Sequence, residues 1–425
     1  MDERITPAGP LQGTLRLPGD KSISHRYAIL ASIAEGRSSI HNYSTGADCA
    51  STLACIHALG IGVEHSGTDV TIDGCGLNGL RAPARALDAG NSGSTIRMLS
   101  GILAAQPFAS CIGGDESLSR RPMGRIMRPL GEMGASISAR DGQFPPLQIG
   151  AGKLRAIDYT LPVASAQVKT CVLFAGLYAE GTTTVREPAR TRDHTEIALR
   201  EFGAEVDVRG RVIAVEPGPR LAARELNVPS DLSSAAFFIV AALLVPGSRI
   251  VIERVGLNPT RSALLDFLVS MGADIRIRNL TFEAGEAVGD LEVRHAPVRG
   301  GVIEKDLTAE MIDEIPVLAV LGAASEEGLT VRDAAELRVK ETDRIATVAD
   351  NLRRLGVEAE VSADGLRVPG KQRFHAARFE SFGDHRIAMA FAVAALAADG
   401  ESVLSGAEAA AVSFPEFFRL LAGVR

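Results

Sequence analysis

Residues 230–247 read Ser230-Asp-Leu-Ser-Ser-Ala-Ala-Phe-Phe-Ile-Val-Ala-Ala-Leu-Leu-Val-Pro-Gly247 and contain one of the longest apolar runs of the chain. Ser230 and Asp231 open the segment with side chains typical of a helix N-terminus. From residue 234 to residue 244 a helix would be apolar on every face, a pattern found in helices that are buried on all sides. The Pro246-Gly247 pair is typical of a helix end. The stretch therefore predicts a fully buried helix.

The same arrangement occurs at five further places along the chain. Polar clusters open apolar segments at residues 20–22, 91–93, 165–167, 313–314 and 383–385. Successive clusters lie roughly 65 to 85 residues apart, which is too long a period for a solenoid repeat. In most copies the first helix ends at a glycine, and a strand-like run and a second, amphipathic helix follow it. The pattern predicts two bodies of three units each, with the apolar helices inside.

Length and composition are those of a globular protein with more than one core. With 425 residues, 46% of them hydrophobic and none of them tryptophan, the chain predicts two domains with aliphatic interiors. A net charge of -7 argues against a nucleic-acid-binding surface.

The first residues lack the apolar segment of a signal peptide, and no apolar run is long enough to cross a membrane. The five cysteines contain no C-x-x-C pair, so we expect buried thiols and a cytoplasmic location.

Basic side chains recur beside the polar clusters. They are Lys21, Arg26, Arg97, Lys169 and Arg386. Helix capping by Ser22, Ser165 and Asp384 explains part of the polar pattern, but it does not explain cations, which oppose the positive end of a helix dipole. A single Lys or Arg is usually a solvated surface residue. A set that recurs at equivalent places predicts an anion-binding site at helix N-termini.

Neither a nucleotide cofactor nor a metal ion is predicted. Gly90-Asn-Ser-Gly-Ser94 lets backbone amides approach an anion, but the chain has no P-loop and no G-x-G-x-x-G motif. The histidines are scattered, without the spacing of metal ligands. For acid–base chemistry the candidates are Asp313 and Glu341. Helix capping by Asp313, and an ion pair of Glu341 with Lys340 or Arg344, remain alternative explanations of these two carboxylates.

Taken together, seven segments resemble the 5-enolpyruvylshikimate-3-phosphate (EPSP) synthase family along essentially the whole chain. They are Leu17-Pro-Gly-Asp-Lys-Ser-Ile-Ser-His-Arg26, Gly90-Asn-Ser-Gly-Ser-Thr-Ile-Arg97, Arg121-Pro-Met123, Ser165-Ala-Gln167, Thr191-Arg-Asp-His194, Arg338-Val-Lys-Glu-Thr-Asp-Arg344 and Gly383-Asp-His-Arg386. They stand in the order that the family has.

The resemblance implies the enolpyruvyl transferase fold, a two-domain α/β inside-out barrel. Each domain would hold three βαβαββ units with buried parallel helices, related by a pseudo-threefold axis. The first domain would be residues 18–228, and the second would be residues 1–17 together with 229–425, with the active site at the hinge cleft. The family also suggests a monomer that uses no cofactor.

The resemblance further implies the reaction and its residues: the enolpyruvyl group of phosphoenolpyruvate is transferred to the 5-hydroxyl of shikimate 3-phosphate. Residues expected to bind shikimate 3-phosphate are Lys21, Ser22, Arg26, Ser165, Ala166, Gln167, Arg192, Asp313 and Lys340. Residues expected to bind phosphoenolpyruvate are Lys21, Asn91, Gly93, Arg121, Gln167, Arg344 and Arg386. Asp313, Glu341 and Lys21 are the expected catalytic residues.

Three positions depart from the family pattern, and two other functions remain open. Val412 stands where some members have Lys, Glu336 where some have Asn, and Ala166 replaces a second Ser. UDP-N-acetylglucosamine enolpyruvyl transferase shares the fold and the donor, but it usually carries a catalytic Cys in the stretch that is here residues 114–121, which contains none. A non-enzymatic module that binds phosphorylated ligands is the second alternative.

Overall fold

The computed structural model describes residues 1–425 and divides into two units. The first unit is Gly19–Val228 together with the short segment Glu283–Glu286. The second unit is Met1–Pro18, Pro229–Phe282 and Ala287–Arg425.

Strands occur along the whole chain. The first are β1 (Asp2–Ile5), β2 (Gln12–Arg16), β3 (Glu35–His41), β4 (Gly62–Ser66), β5 (Asp69–Cys75), β6 (Leu87–Asp88), β7 (Ser110–Gly113) and β8 (Ile137–Arg140). They are followed by β9 (Phe144–Ile149), β10 (Asp158–Thr160), β11 (Thr183–Arg186), β12 (Val206–Arg209), β13 (Val212–Val215), β14 (Glu225–Asn227), β15 (Arg249–Gly256) and β16 (Asp274–Glu283). The last are β17 (Glu286–Arg294), β18 (Gly300–Ile303), β19 (Gly328–Val331), β20 (Glu360–Val361), β21 (Leu366–Val368), β22 (Arg378–Glu380) and β23 (Ser402–Ser405).

Helices alternate with these strands. They begin with α1 (Lys21–Ser32), α2 (Ala47–Ala58), α3 (Gly93–Leu103), α4 (Gly124–Glu132), α5 (Ala166–Gly176), α6 (His194–Phe202) and α7 (Leu232–Leu244). They continue with α8 (Ala263–Ser270), α9 (Asp306–Met311), α10 (Ile315–Ala324), α11 (Arg344–Arg354), α12 (His385–Ala395) and α13 (Phe417–Gly423). No helix is both long enough and apolar enough to cross a lipid bilayer.

The first unit contains three four-stranded sheets of one design, in the orders β14-β3-β5-β4, β6-β7-β9-β8 and β10-β11-β13-β12. In each sheet the first two strands are parallel and the other two pairings are antiparallel. In the second and third of these sheets, the single helix between the two parallel strands, α3 or α5, makes the crossover that a parallel pairing requires. Two of the sheets therefore follow the order βαβαββ along the chain, and β14 completes the third from the far end of the unit.

The second unit repeats this design with one shortened sheet. Its sheets have the orders β16-β17-β15-β2, β18-β19-β21-β20 and β1-β23-β22. The N-terminal strands β1 and β2 supply one strand each to two of them, β1 antiparallel to β23 and β2 parallel to β15.

Buried helices form the centre of each unit, as the sequence predicts. In the second unit α7, α10 and α12 pack against one another, and every residue of α7 except Ser234 is buried. In the first unit the corresponding helices are α1, α3 and α5. The second helices of the repeats are half buried, as in α11, where Ile345, Val348 and Leu352 form the buried face.

The structure corrects three local details of the sequence analysis. Ser165 and Asp384 cap α5 and α12 as predicted, but α1 is capped by Asp20, whose carboxylate accepts the Ile23 amide proton, and not by Ser22. The buried helix after the 313–314 cluster begins at Ile315, with Glu314 at the N-cap. Capping of this helix by Asp313 is therefore wrong, because Asp313 lies in the turn that separates α9 from α10.

Candidate active site

Lys21 is the first residue of α1 and forms an ion pair with Asp48. Its Nζ lies 2.9 Å from Oδ2 of Asp48, which belongs to the first turn of α2. The side chains are 22% and 10% exposed, so the pair is partly shielded from water. Sequence reasoning identified Lys21 but missed Asp48, since nothing in the local pattern links these residues.

A chain of hydrogen bonds joins α1, the middle of α2 and the start of α3. Nδ1 of His25 lies 2.7 Å from Oγ1 of Thr52, which lies 2.7 Å from Oγ1 of Thr95. Thr95 donates in turn to Oγ of Ser92 over 2.8 Å, and Ser92 caps α3. Burial lowers the pKa of His25 to about 3, so the imidazole is neutral near pH 7. The network fixes α1, α2 and the start of α3 relative to one another.

Arg26 is almost completely buried, at 2% exposure. Its guanidinium donates to three uncharged acceptors: Nε to Oγ1 of Thr195 (2.7 Å), Nη2 to Oγ1 of Thr170 (2.9 Å) and Nη1 to the Ser22 carbonyl (2.7 Å). Burial lowers the pKa of Arg26 to about 10, Glu196 and Asp20 oppose that shift, and Arg192 adds to it. Arg192 thus acts on Arg26 as a neighbouring like charge, and an anionic ligand would relieve the repulsion of the two guanidinium groups.

Arg121 is bound to the loop that opens α3. Its Nη2 donates to Oδ1 of Asn91 (2.7 Å) and to Oγ of Ser117 (3.1 Å), and the amide of Asn91 donates to Asp115 (2.7 Å). Gly93, the first residue of α3, has no side chain to fill the space beside this group. A methyl group on Gly93 would lie 2.6 Å from Nη1 of Arg97 and 3.6 Å from Nη1 of Arg121.

Gln167 is held in place by two residues of α3. Nη1 of Arg97 donates to Oε1 of Gln167 (2.9 Å), and Nε2 of Gln167 donates to Oγ of Ser94 (3.0 Å). Ser165 caps the same helix, and Ala166 is its first residue and is half buried. The starts of α3 and α5 are therefore joined by a polar network next to Gly93.

The second unit brings Asp313, Lys340, Glu341 and Arg344 together. Oδ1 of Asp313 lies 3.4 Å from Nζ of Lys340 and 3.5 Å from Nη1 of Arg344. Oε2 of Glu341 lies 2.6 Å from Nη2 of Arg344, so the ion-pair alternative for Glu341 is confirmed as a contact. The Asp313 and Glu341 side chains are 17% and 20% exposed, which leaves both carboxylates within reach of a ligand.

Arg386, in the first turn of α12, completes this group. Its Nη1 donates to the Asp313 carbonyl (2.8 Å), and its Nη2 donates to Oγ of Ser233 (3.0 Å). Ser233 in turn hydrogen bonds to Glu314. Sequence reasoning missed the roles of Ser233 and Glu314 because both occur in segments that look like ordinary helix starts. No group of three or more His, Cys, Asp or Glu side chains is arranged to hold a metal ion.

The predicted residues therefore fall into one cluster in each unit. The first unit holds Lys21, Ser22, Arg26, Asn91, Gly93, Arg121, Ser165, Ala166, Gln167 and Arg192. The second unit holds Asp313, Lys340, Glu341, Arg344 and Arg386. In both clusters cations surround the N-terminal ends of buried helices, where anions are favoured.

Solved structures of the same fold define the class of protein. An EPSP synthase structure from Acinetobacter baumannii matches with a TM-score of 0.90 and 42% identity, covering 100% of this chain and 98% of that one. A second structure of EPSP synthase from that organism gives a TM-score of 0.89 at 41% identity. The fold is the two-domain fold of the enolpyruvyl transferases.

Sequence comparison narrows the class to one family. The family model described as EPSP synthase (3-phosphoshikimate 1-carboxyvinyltransferase) matches residues 5–421. The 3-phosphoshikimate 1-carboxyvinyltransferase of Solibacter usitatus is 69% identical over 421 residues, and that of Koribacter versatilis is 55% identical over 419 residues. The two alignments cover 99% and 98% of this chain and of the respective relative. The chain belongs to the EPSP synthase family and is a transferase.

Proposed function

We propose that this chain transfers the enolpyruvyl group of phosphoenolpyruvate to the 5-hydroxyl of shikimate 3-phosphate through a tetrahedral intermediate. The hydroxyl oxygen forms a bond to C2 of phosphoenolpyruvate, and C3 gains a proton, which gives a ketal. Loss of a proton from C3 and cleavage of the bond between C2 and the phosphate oxygen then release inorganic phosphate and the enol ether. The product belongs to the shikimate pathway of aromatic amino acid biosynthesis.

The observation that carries the proposal is the environment of Asp313. Its carboxylate is partly exposed and lies between Lys340 and Arg344, at 3.4 and 3.5 Å. We assign Asp313 as the base that removes the proton of the 5-hydroxyl, because a carboxylate held by two cations keeps its geometry and remains open to a ligand. Lys340 is assigned to bind shikimate 3-phosphate, the substrate that carries this hydroxyl.

The proton at C3 is assigned to Glu341 and Lys21. Glu341 is held by Arg344, and Lys21 is held by Asp48, so each has a fixed position and a partly exposed polar end. The group that gives its proton to C3 in the addition step becomes a base, which takes a proton back from C3 in the elimination step.

The cations of both units bind the two phosphorylated substrates. Ser22, Arg26, Ser165, Ala166, Gln167 and Arg192 are assigned to shikimate 3-phosphate, and Lys21 and Asp313 also contact it. Asn91, Gly93, Arg121, Gln167, Arg344 and Arg386 are assigned with Lys21 to phosphoenolpyruvate. Arginine forks suit phosphate and carboxylate oxygens, and they stabilise the charge that moves onto the departing phosphate. We infer that the two units are the functional domains of a cytoplasmic monomer.

Phosphate release tests the proposal against the alternatives. We expect the purified chain to release phosphate when it is given phosphoenolpyruvate and shikimate 3-phosphate together, and to release none with UDP-N-acetylglucosamine as the acceptor. A binding module would bind shikimate 3-phosphate in calorimetry without turnover and would tolerate Asp313→Asn. Absence of phosphate release at saturating concentrations of both substrates would refute the proposed reaction.

A further inference from the structure

Three charged side chains of the first unit form a buried cluster to which the reaction scheme gives no role. Lys169, on α5, is fully buried, with 0% of its side chain exposed. Its Nζ lies 2.7 Å from Oε1 of Glu196 and 3.1 Å from Oε1 of Glu187. The side chains of both glutamates are 3% exposed. We call Lys169, Glu187 and Glu196 the lysine triad.

Burial of this triad needs an explanation, because removing ions from water costs more than filling the same space with apolar side chains. The carboxylates outnumber the ammonium group by one, so the ionised triad has a net charge of −1. Arg26 supplies the missing positive charge: its guanidinium hydrogen bonds only to uncharged acceptors, and Glu196 is the foremost of the charges that raise its pKa. Burial raises the pKa of Glu196, and the ammonium group of Lys169 opposes that shift.

The triad is connected to Arg26 through the backbone of its own members. Thr170 follows Lys169 and Thr195 precedes Glu196 in the sequence, and these two hydroxyls accept hydrogen bonds from Nη2 and Nε of Arg26. The hydroxyls also contact each other at 2.6 Å. A shift of Lys169 would move Thr170 and a shift of Glu196 would move Thr195, and each of these hydroxyls is one of the three acceptors that orient the guanidinium plane.

The triad is also connected to the loop that carries Arg192. Oγ1 of Thr191, the residue before Arg192, donates to Oε1 of Glu187. The same Glu187 oxygen lies 3.1 Å from the ammonium group of Lys169, which therefore helps to fix the start of this loop. The adjacent residue Thr170 accepts a hydrogen bond from the guanidinium group of Arg26.

We propose that Lys169, Glu187 and Glu196 are positioning residues for the acceptor substrate, because they hold Arg26 and the loop of Arg192 in place for the anionic groups of shikimate 3-phosphate. The inference rests on the proposed function, which assigns these two arginines to that substrate. The triad touches no substrate and takes no part in proton transfer.

Two substitutions test the positioning role of the triad, one within the triad and one in the loop that it holds. Lys169→Met removes the ammonium group and keeps most of the volume, while Thr191→Val removes only the hydroxyl that joins the loop to Glu187. We expect Lys169→Met to raise KM for shikimate 3-phosphate about tenfold and Thr191→Val to raise it a few-fold, because misplaced binding groups lose affinity. KM for phosphoenolpyruvate should change less than about twofold, because the hydrogen bonds that leave the triad lead to Arg26 and to the loop of Arg192, which are assigned to the other substrate.

Matched variants separate positioning from general damage. Thr191→Ser keeps the hydroxyl, and we expect it to have the wild-type KM. Thr182→Val also removes a hydroxyl–carboxylate hydrogen bond, here to Glu216 at 2.8 and 2.9 Å, but on the exposed side of the unit. It should leave both KM values unchanged.

The outcomes distinguish the inference from the proposed function. If Arg26→Ala leaves calorimetric binding of shikimate 3-phosphate unchanged, the assignment of the acceptor site is wrong and the inference falls with it. If Arg26→Ala weakens binding while Lys169→Met and Thr191→Val do not, only the positioning role is refuted. Equal increases in both KM values would also refute it. Should Lys169→Met fail to fold, the comparison of Thr191→Val with Thr191→Ser decides the question.

Discussion

Arg344 and Asp384 form a two-point ion pair inside the second unit: Nε lies 2.8 Å from Oδ2, and Nη2 lies 3.1 Å from Oδ1. The side chains are 1% and 0% exposed. Burial opposes both charges, yet Asp384 and Glu341 raise the pKa of Arg344, and Arg344 lowers that of Asp384. Asp384 also caps α12, one residue before His385 and two before Arg386. The pair therefore fixes the two arginines assigned to phosphoenolpyruvate relative to each other.

Loss of Asp384 is expected to destabilise the protein strongly. Asp384→Ala leaves the Arg344 charge buried with reduced compensation and removes the cap of α12, which together should cost about 3–5 kcal/mol of unfolding free energy. Urea denaturation measures the change. Asp350→Ala is the matched control, because Asp350 accepts from Nε of Arg354 at the same 2.8 Å while the side chains are 47% and 40% exposed. That variant should lose less than about 1 kcal/mol, and an equal loss in both variants would contradict the role of burial.

The neutral state of His25 predicts a pH dependence of stability. Its folded pKa of about 3 lies below the ordinary value of 6.5, so the unfolded chain binds the proton first as the pH falls. Stability from this group is complete above pH 6.5 and decreases from there down to about pH 3. Between pH 7 and pH 5 the loss should be about 2 kcal/mol. Burial disfavours the protonated ring, and Nε2 of His25 has no hydrogen-bond partner that would offset the charge.

A pair of histidine variants checks this prediction by urea denaturation at the two pH values. His25→Gln should lose stability over this range by about 2 kcal/mol less than the wild type. His65→Gln, on the exposed strand β4, should keep the wild-type dependence. An unchanged pH dependence in His25→Gln would show that other groups cause it.

Much of the fold could be predicted from the sequence because the buried helices are apolar on all sides. The stretch after Asp231 has no face that could remain in water, so its burial follows from composition alone. The cap at Ser165 was predictable for a similar reason, since a local hydrogen bond to the Val168 amide needs no distant partner. At the start of α1 both Asp20 and Ser22 could cap the helix. The local pattern did not show that Asp20 is the residue that accepts the hydrogen bond of the Ile23 amide.

The partners of the site residues could not be predicted in the same way. Lys21 pairs with Asp48, Arg344 with Asp384 and Arg26 with Thr195, and each pair joins separate elements of one unit. Such contacts depend on how the sheets place the helix ends, which no local periodicity encodes. The family resemblance identified the residues of the site, whereas the side chains that hold them became visible only in the three-dimensional arrangement.

Substitution of Arg121 tests the assignment of the donor substrate. Arg121→Ala removes a guanidinium that Asn91 and Ser117 hold beside Gly93, so KM for phosphoenolpyruvate should rise about tenfold or more, and further than KM for shikimate 3-phosphate. Steady-state kinetics with each substrate varied in turn measures both values. Arg120→Ala, whose side chain is 71% exposed and pairs with Glu116, should leave both unchanged. A larger effect on the acceptor than on the donor would refute the assignment.

Asp313 gives the sharpest test of the chemistry. Asp313→Ala removes the assigned base but leaves the arginines and lysines that bind the phosphates, so both substrates should still bind while kcat falls about a hundredfold or more. Calorimetry measures the binding, and phosphate release measures kcat. Asp313→Asn should behave similarly, because the amide keeps the shape but cannot accept the proton at pH 7. Asp266→Ala, an exposed carboxylate in α8, should leave kcat unchanged. Asp313 also holds Lys340 and Arg344, so somewhat weaker binding of shikimate 3-phosphate is compatible with the assignment. Weaker binding with a near-normal kcat would leave Asp313 a binding role only and would remove it from the chemistry.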